Sequence, residues 1–443
     1  MKIIIFGAND TGYLLASQFF KEHDITIIND GNNPVEDIEN LDINITEGNP
    51  SNINLLKKIH IEQADIFIAC SNVDEANIVA SLVVHKLSKA KIACFVSNQE
   101  HVESLALMQN EKGAIIDNII HPEDLLTKEI FQIITVPEAI KVENFAKGKA
   151  KLLEYRIKKD SSLLNKAIKD CTFAKDTVIV GISRNSKLFI PNGSTVFEEE
   201  DKVIFIGLAE SLGKLVNLVS NDFAEVKTAG IIGGGTVGLM LAQKLEKAGL
   251  KTKIIEKNLE RCEFLTENLK NTLVLNGDGT NLELLNTEDF GECDVIISVT
   301  NNDEKNLLCS LLAKQLGAKR VITRVSKPTN VSLFEKVGID VAISPKESAI
   351  HEIVNTLIKT NVDILASVEQ GQGEIIDIDV PDYFKDKKIS ELKMPERAII
   401  SIIQRASKII IPTGNTLVRP EDKLIIFTMA EQVDNIKNFF ERR

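Results

Sequence analysis

The chain has 443 residues, 44% of them apolar and 26% charged, with a formal net charge of −12. So long a chain does not fold around one core, and roughly two to four domains are expected. The acidic balance argues against a nucleic-acid-binding protein, whose contact face is basic, and no run of 18 uninterrupted apolar residues makes a membrane-spanning helix.

Met1–Phe6 is apolar but too short for a signal peptide and runs straight into Gly7, so it reads as a strand. Gly7-Ala8-Asn9-Asp10-Thr11-Gly12 is a turn opening a helix that continues to about Lys21. A second strand, Ile25–Ile28, ends in Asn29 and Asp30. Ala64–Asn77 reads as an apolar strand, then the polar loop from Ser71, then a helix start; His121-Pro122-Glu123 starts another helix, running to about Ile134. A different pattern follows: strands at Leu152–Ile157, Val178–Ser183, Lys187–Ile190 and Lys202–Ile206, with short helices at Leu163–Ile168 and Glu210–Val219.

The order then repeats, with a stronger opening. Strand, Gly233-Gly234-Gly235-Thr236-Val237-Gly238, helix and the strand Lys253-Ile254-Ile255 lead to Glu256. That is the dinucleotide fingerprint in its full context. Gly233 allows the tight turn, Gly235 lets a pyrophosphate approach the backbone, and Gly238 lets helix pack on strand. The pyrophosphate then meets free N–H groups at the helix N-terminus, while Glu256 takes ribose hydroxyls. Cys293–Asn306 matches Ala64–Asn77 at an offset of 229, and Ser344-Pro345-Lys346 matches His121-Pro122-Glu123 at 223. Ser344 and Glu347 read as a capping box for a helix to about Lys359. Strands at Glu374–Ile378, Ile399–Gln404, Lys408–Ile411 and Lys423–Phe427 precede a helix at Glu431–Phe440. Equivalent turns, Pro191–Ser194 with Pro412–Asn415 and Glu200–Lys202 with Glu421–Lys423, stand 221 apart.

The fold class is therefore α/β: two Rossmann-type, doubly wound parallel-sheet lobes, each followed by a small α+β module. Expected domains are 1–136, 137–224, 225–364 and 365–443, with boundaries near Val136, Ala224 and Ile364. The scattered cysteines have no C-x-x-C and read as small buried hydrophobes in a reducing cytoplasm; the dispersed histidines make no zinc site. The charge runs Glu198–Asp201 and Lys385–Lys388 read as solvated turns, and His121 as a turn residue.

The opening M-K-I-I-I-F-G-A-N-D-T-G, Gly277-Asp278-Gly279-Thr280, the loop Asn301-Asn302-Asp303-Glu304-x-Asn306 and the four-part order carry a resemblance over essentially the whole chain. The chain resembles the double-length TrkA family, cytosolic regulatory subunits of Trk/Ktr-type potassium uptake systems built from paired RCK (regulator of potassium conductance) lobes. The resemblance implies no catalysis. It implies NAD(H) or ATP/ADP as a regulatory ligand, and a homo-oligomeric ring of two or four chains. That ring would sit as a peripheral assembly on the cytoplasmic face of a pore-forming potassium transporter. Gly233, Gly235, Thr236, Val237 and Gly238 would then hold the phosphates and Glu256 the adenosine ribose. Asp278, Thr300 and Arg324 would flank the cleft. From the residues alone, Asp278 also reads as a turn residue, Thr300 as a helix cap and Arg324 as half of a surface ion pair.

The first lobe has the corresponding set Gly7, Asn9, Thr11, Gly12, Asn29, Asp30 and Ser71, with departures. Asn9 replaces Gly235, Asn29 or Asp30 stands for Glu256, Asn49 for Asp278 and Phe95 for Arg324. These changes predict weaker binding or a different nucleotide, and two unequal sites would read a ratio. The hinge helices from Pro122 and Pro345 are the expected lever. An NAD-dependent oxidoreductase, or a regulator of another cation transporter, are the competing readings; no acid/base cluster supports the first.

Overall fold

The computed structural model describes the chain except residues 32–35, 110–114, 137, 220–225, 358–362, 370 and 442–443. It has two six-stranded parallel sheets and two five-stranded antiparallel ones. The first sheet contains β1 (Lys2–Phe6), β2 (Asp24–Asn29), β3 (Asn44–Glu47), β4 (Ile66–Ala69), β5 (Lys91–Phe95) and β6 (Asn118–Ile120), in the order β3-β2-β1-β4-β5-β6. Its central strands are β-branched runs buried on both faces, as parallel sheets require: Ile3, Ile4, Ile5 and Phe6 are fully buried. This is the doubly wound order, with the ligand crevice expected where β1 and β4 diverge.

The first small module contains β7 (Ala139–Phe145), β8 (Ala150–Arg156), β9 (Thr177–Arg184), β10 (Lys187–Phe189) and β11 (Lys202–Leu208), ordered β10-β9-β11-β8-β7. The second Rossmann sheet repeats the first with β12 (Thr228–Ile232), β13 (Lys251–Glu256), β14 (Leu273–Asn276), β15 (Val295–Ser298), β16 (Val321–Arg324) and β17 (Val341–Ile343), ordered β14-β13-β12-β15-β16-β17. The second module has β18 (Asp363–Val368), β19 (Gly373–Asp379), β20 (Lys387–Lys388), β21 (Ala398–Arg405), β22 (Lys408–Ile410), β23 (Leu417–Val418) and β24 (Lys423–Met429). Its main sheet runs β18-β19-β24-β21-β22, the order of the first module, and β20 pairs with β23.

The helices that matter for the site are α1 (Asp10–Phe19), α2 (Asp74–Leu87), α3 (Pro122–Thr135), α4 (Thr236–Lys247), α5 (Asp303–Gln315) and α6 (Pro345–Leu357).

Several local expectations need correction. Leu163–Ile168 is not a helix: the N–H groups of Asn165 and Ile168 donate across to Phe197 and Thr195, and only Ile168–Asp170 makes a 3₁₀ turn. Glu210–Val219 is two short helices, Ala209–Leu212 and Val216–Val219, on either side of Gly213. The capping box at Ser344 does not form, because its buried hydroxyl meets no partner. Lys387–Lys388 is a short exposed strand rather than a turn. Strands β7 and β18 were not expected. The boundary at Ala224 lies outside the described residues; the one at Ile364 falls inside β18.

The chain divides into two compact units that do not follow its linear order. One joins Met1–Thr127 with Val325–Val331 and Ile343–Ile358; the other joins Lys128–Arg324 with Ser332–Ala342 and Lys359–Arg443. In the first, helix α6 leaves the second Rossmann lobe and packs on α1, β5 and β6 of the first. Lys346 Nζ sits 2.6 Å from Asp10 Oδ2, and Asn118 donates to the Thr356 hydroxyl. In the second, the buried Arg320 guanidinium donates to the carbonyls of Ile133, near the end of α3, and of Ala139. The two small modules share one core there: Phe145, Leu152, Ile204 and Ile206 pack with Ile375, Ile402, Ile425 and Phe427.

Candidate functional site

In the second lobe, buried β12 delivers the chain to Gly233 at φ +111°, a left-handed conformation that suits glycine. A Cβ there would stand 3.0 Å from the Thr300 amide at the end of β15. A Cβ on Gly238 would stand 2.0 Å from the Gly233 carbonyl oxygen, so this glycine lets α4 press onto the turn. Gly234 is closed in as well, its Cβ position lying 2.5 Å from Leu265.

Gly235 differs from all three. Its φ of −65° and ψ of −164° are open to any residue, and nothing lies within 4 Å of a Cβ built on it. As N-cap of α4 it offers no side-chain oxygen, so the first-turn amides of Thr236, Val237 and Gly238 have no side-chain cap. Serine or asparagine there would stabilise the helix by a few tenths of a kcal/mol relative to glycine. Neither the backbone nor a neighbouring side chain calls for glycine there. The residues present therefore fit a phosphate group held by uncapped helix amides.

Glu256, at the end of β13, is already engaged. Its Oε2 accepts from Gly234 N at 2.7 Å and its Oε1 from Asn258 N at 2.8 Å. The carboxylate thereby fixes the glycine turn against β13, with lone pairs remaining for a hydroxyl donor. Arg261 Nε braces the same turn by donating to Gly234 O at 2.7 Å. Asp278 accepts from the Thr280 amide and hydroxyl, and Lys257 Nζ lies 2.9 Å from its other oxygen. The Lys257 ammonium and the Thr280 donors hold its carboxyl well below the usual range. Asp278 thus shapes the loop after β14.

Thr300 and Arg324 come together through a residue outside the expected set. The Asn306 side chain, fully buried at the start of α5, accepts from the Thr300 amide and hydroxyl and donates to the carbonyls of Thr300 and Arg324. It clasps the ends of β15 and β16. Thr300 is part of this clasp, and the α5 cap is instead Asn302, which accepts from Lys305 N at 2.7 Å. The Arg324 guanidinium donates to Asn301 Oδ1 at 2.5 Å. The signal for Asn306 was its place in the loop motif, which reads as a helix start and so hid a buried hydrogen-bonding role.

The first lobe folds the same turn. Gly7 has φ +122°, with a Cβ position 2.8 Å from the Ser71 amide, and a Cβ on Gly12 would stand 1.9 Å from Gly7 O. Asn77 repeats the clasp on the amide, hydroxyl and carbonyl of Ser71 and on the Phe95 carbonyl. The difference lies at Asn9, only 8% exposed. Its Oδ1 accepts from Thr11 N and Gly12 N at 3.0 Å each, and its Nδ2 donates to Cys70 O at 2.7 Å and Asn72 Oδ1 at 3.1 Å. Asn29 Oδ1 accepts from Gly31 N, within its own loop; Asp30 follows it at the strand end.

Among the described residues, no cluster of His, Cys, Asp and Glu is arranged to hold a metal ion, and no helix is long and apolar enough to cross a membrane. All six cysteines are free thiols.

The TrkA-N family model matches residues 3–122 and 229–345, and the TrkA-C model matches 152–220 and 374–441. Over 451 aligned residues the chain is 34% identical to "Trk system potassium uptake protein TrkA homolog 2" of Methanosarcina mazei, covering all of both chains. It is 29% identical to "Trk system potassium uptake protein TrkA" of Vibrio alginolyticus, covering 100% of this chain and 99% of that one. Among solved structures, the GsuK RCK domain superposes with a TM-score of 0.63 at 20% identity, covering 100% of this chain and 95% of that one. The GsuK channel bound to NAD gives 0.62 at 19% identity, covering 100% and 79%. At these identities the structures speak to the fold.

Proposed function

The chain belongs to the TrkA family of Trk-system potassium uptake proteins, and we propose that it is the nucleotide-sensing regulatory subunit of a potassium uptake system. It acts by binding, without catalysis of its own. The observation that carries the nucleotide is Gly235: an N-cap glycine that backbone and packing leave unexplained, in front of uncapped helix amides. Gly233, Gly235, Thr236, Val237 and Gly238 would hold the phosphates of NAD(H) or of ATP/ADP. Glu256 would take the ribose, and Asp278, Thr300 and Arg324 would border the cleft. GsuK, of the same fold, is named as bound to NAD in one structure and to ADP in another. Glu256, Asp278, Thr300 and Arg324 are each engaged by neighbouring atoms of the protein, as groups that shape a cleft are.

The nucleotide biases the assembly by binding one conformation better than another. The four segments 1–136, 137–224, 225–364 and 365–443 would divide the work into two nucleotide-type lobes and two modules that join them. The chain would form a homo-oligomeric ring of two or four copies, peripheral on the inner face of the membrane, docked on a Trk/Ktr-type pore subunit. Such a ring would use apolar side chains at equivalent positions of α2 and α5: Val79 is 45% exposed and Leu308 46%.

The test is potassium uptake in cells deleted for this chain. The wild-type gene restores uptake and co-purifies with a potassium-translocating membrane protein, while Gly235→Val restores neither the uptake nor its response to nucleotide supply. Unchanged uptake on deletion would sink the reading. For the ring, light scattering of Leu308→Asp is expected to show at most half the mass of the wild-type assembly; an unchanged mass removes this face from the assembly.

A further inference from the structure

We propose that the first lobe is closed to nucleotide by its own Asn9, whose carboxamide takes the place that a phosphate takes in the second lobe. This rests on the reading of the second lobe as the sensor site. It replaces the expectation of two unequal sites with that of one working site per chain.

The two turns follow the same backbone path. Gly7 and Gly233 have φ of +122° and +111°, and each would clash with the amide that follows its neighbouring strand, Ser71 or Thr300. Gly12 and Gly238 meet the carbonyl oxygen of the first glycine at almost the same distance, 1.9 and 2.0 Å from a built Cβ. The N-cap residues are both extended, at φ −89° and ψ −177° for Asn9 and φ −65° and ψ −164° for Gly235. The turns therefore differ in what fills the space in front of the helix, not in path.

In the first lobe that filling is covalently attached. Asn9 Oδ1 accepts from Thr11 N and Gly12 N, the amides that correspond to those left without a side-chain cap in α4. Its Nδ2 is tied to Cys70 O, beyond the end of β4, and to Asn72. The carboxamide thus spans the crevice between β1 and β4 from both sides, and its position is fixed at four hydrogen bonds. A phosphate oxygen would have to displace all of them at once, and an Asn side chain held at both ends is not a rotamer away from leaving. The next residue adds a charge of the wrong sign. Asp10 stands at the first position of α1, where the helix favours an anion, and is paired with Lys346 of α6. An incoming phosphate meets a carboxylate already at the helix end and would pull Lys346 away from it. The first turn is better suited to anchoring α6 than to receiving a ligand.

The experiment is calorimetric titration of the full-length chain with NADH and, separately, with ATP, read as sites per chain. The wild type is expected to bind one nucleotide. Asn9→Gly, which removes the carboxamide and copies the second lobe, is expected to bind two. Asn9→Asp, which keeps the cap and adds a charge, stays at one. Gly235→Asn carries the plug into the second lobe, where a side chain has open space, and is expected to lower affinity at least about tenfold with an unchanged melting temperature. Two sites in the wild type, or one site in a folded Asn9→Gly chain, would overturn the proposal. Should Asn9→Gly fail to fold, full-affinity binding by Gly235→Asn overturns it instead. A wild type that binds nothing defeats the sensor reading, and there a single site appearing in Asn9→Gly still supports the plug.

Discussion

At the scale of single residues, the strand ends of the two nucleotide-type lobes are joined by buried asparagines rather than by charge. Asn77 and Asn306 are both fully buried, and each side chain makes four hydrogen bonds that join the ends of adjacent strands. Truncation to alanine leaves buried carbonyls and an amide without partners, which destabilises by about 2–4 kcal/mol. The two substitutions are expected to part company in binding. Asn306→Ala releases Thr300 and Arg324 at the rim of the second-lobe cleft, so both the unfolding midpoint and the nucleotide affinity fall. Asn77→Ala releases Ser71 beside a turn that Asn9 already fills, so only the midpoint falls. Denaturant unfolding with nucleotide titration on the same samples checks the pair. An equal loss of affinity in both would mean that the lobes work alike. These asparagines were visible in the sequence as part of a repeated motif, but a helix-start pattern does not say that the fourth residue of the helix turns inward to hold two strands. The glycine turn, by contrast, was legible, because the tight turn at Gly233 and the close packing at Gly238 each constrain residue type directly.

Among the elements, the small modules show why some structure was hidden. Strands β7 and β18 lie at the sheet edges, and each carries a register shift, between Ala139 and Lys141 and between Ile364 and Ala366. A bulge breaks the alternation of apolar and polar residues from which a strand is read. The run Glu198–Asp201 misled for a different reason. Glu198, Glu199 and Glu200 are exposed as charge runs usually are, but Asp201 is fully buried. It accepts a bidentate pair of bonds from Arg184 at 2.8 Å each, and its equivalent Asp422 does the same with Arg405 at 2.7 Å. In each module the arginine ending one long strand reaches the acid just before another, and also donates to a backbone carbonyl of the intervening segment, Val196 or Leu417. The repeated Glu-Asp-Lys turn was legible as a repeat; the partner arginine was not, because it lies 17 residues away with nothing in the sequence to join them. Arg405→Ala leaves Asp422 buried without its guanidinium partner, accepting from Arg419 N at 2.8 Å. The guanidinium is partly exposed, so the loss is set below that of a wholly buried pair, at about 2–3 kcal/mol. Thermal unfolding should show the drop, and Arg405→Lys should recover only part of it, since a single ammonium cannot reproduce the fork. Full recovery by lysine would mean that charge alone matters there.

For the whole molecule, the sequence order of four segments is not the order in which they pack. Helix α6 belongs to the second lobe in sequence and to the first in space, and the small modules merge into one core. Periodicity tells which face of a strand is buried and is silent about what buries it. The merger leaves its mark on glycines. A Cβ on Gly181 would stand 2.9 Å from the Phe427 ring of the other module, and one on Gly373 would stand 2.4 Å from Leu188. It also traps charge. Glu374 on β19 is 8% exposed and accepts from the Ser367 hydroxyl at 2.6 Å, while Lys141 of the first module donates to the Ser367 carbonyl at 2.7 Å. Burial pushes the Glu374 carboxyl up to about 7 from its ordinary 4.5, against the opposing pull of Ser367 and Lys141. The folded chain therefore holds this proton over a range in which the unfolded chain has released it. The consequence is a loss of stability as pH rises from about 4.5 through about 7, the reverse of a salt-bridged carboxylate. Glu374→Gln keeps the acceptor for Ser367 and cannot ionise. Relative to wild type it should be more stable by about 2–3 kcal/mol at pH 8 and nearly equal at pH 4. Chemical denaturation of both proteins at the two pH values measures the difference directly. A gap that stays constant with pH would place the ionised carboxylate in contact with water or with Lys141 and remove the joint between the modules as a pH-sensitive part of the assembly.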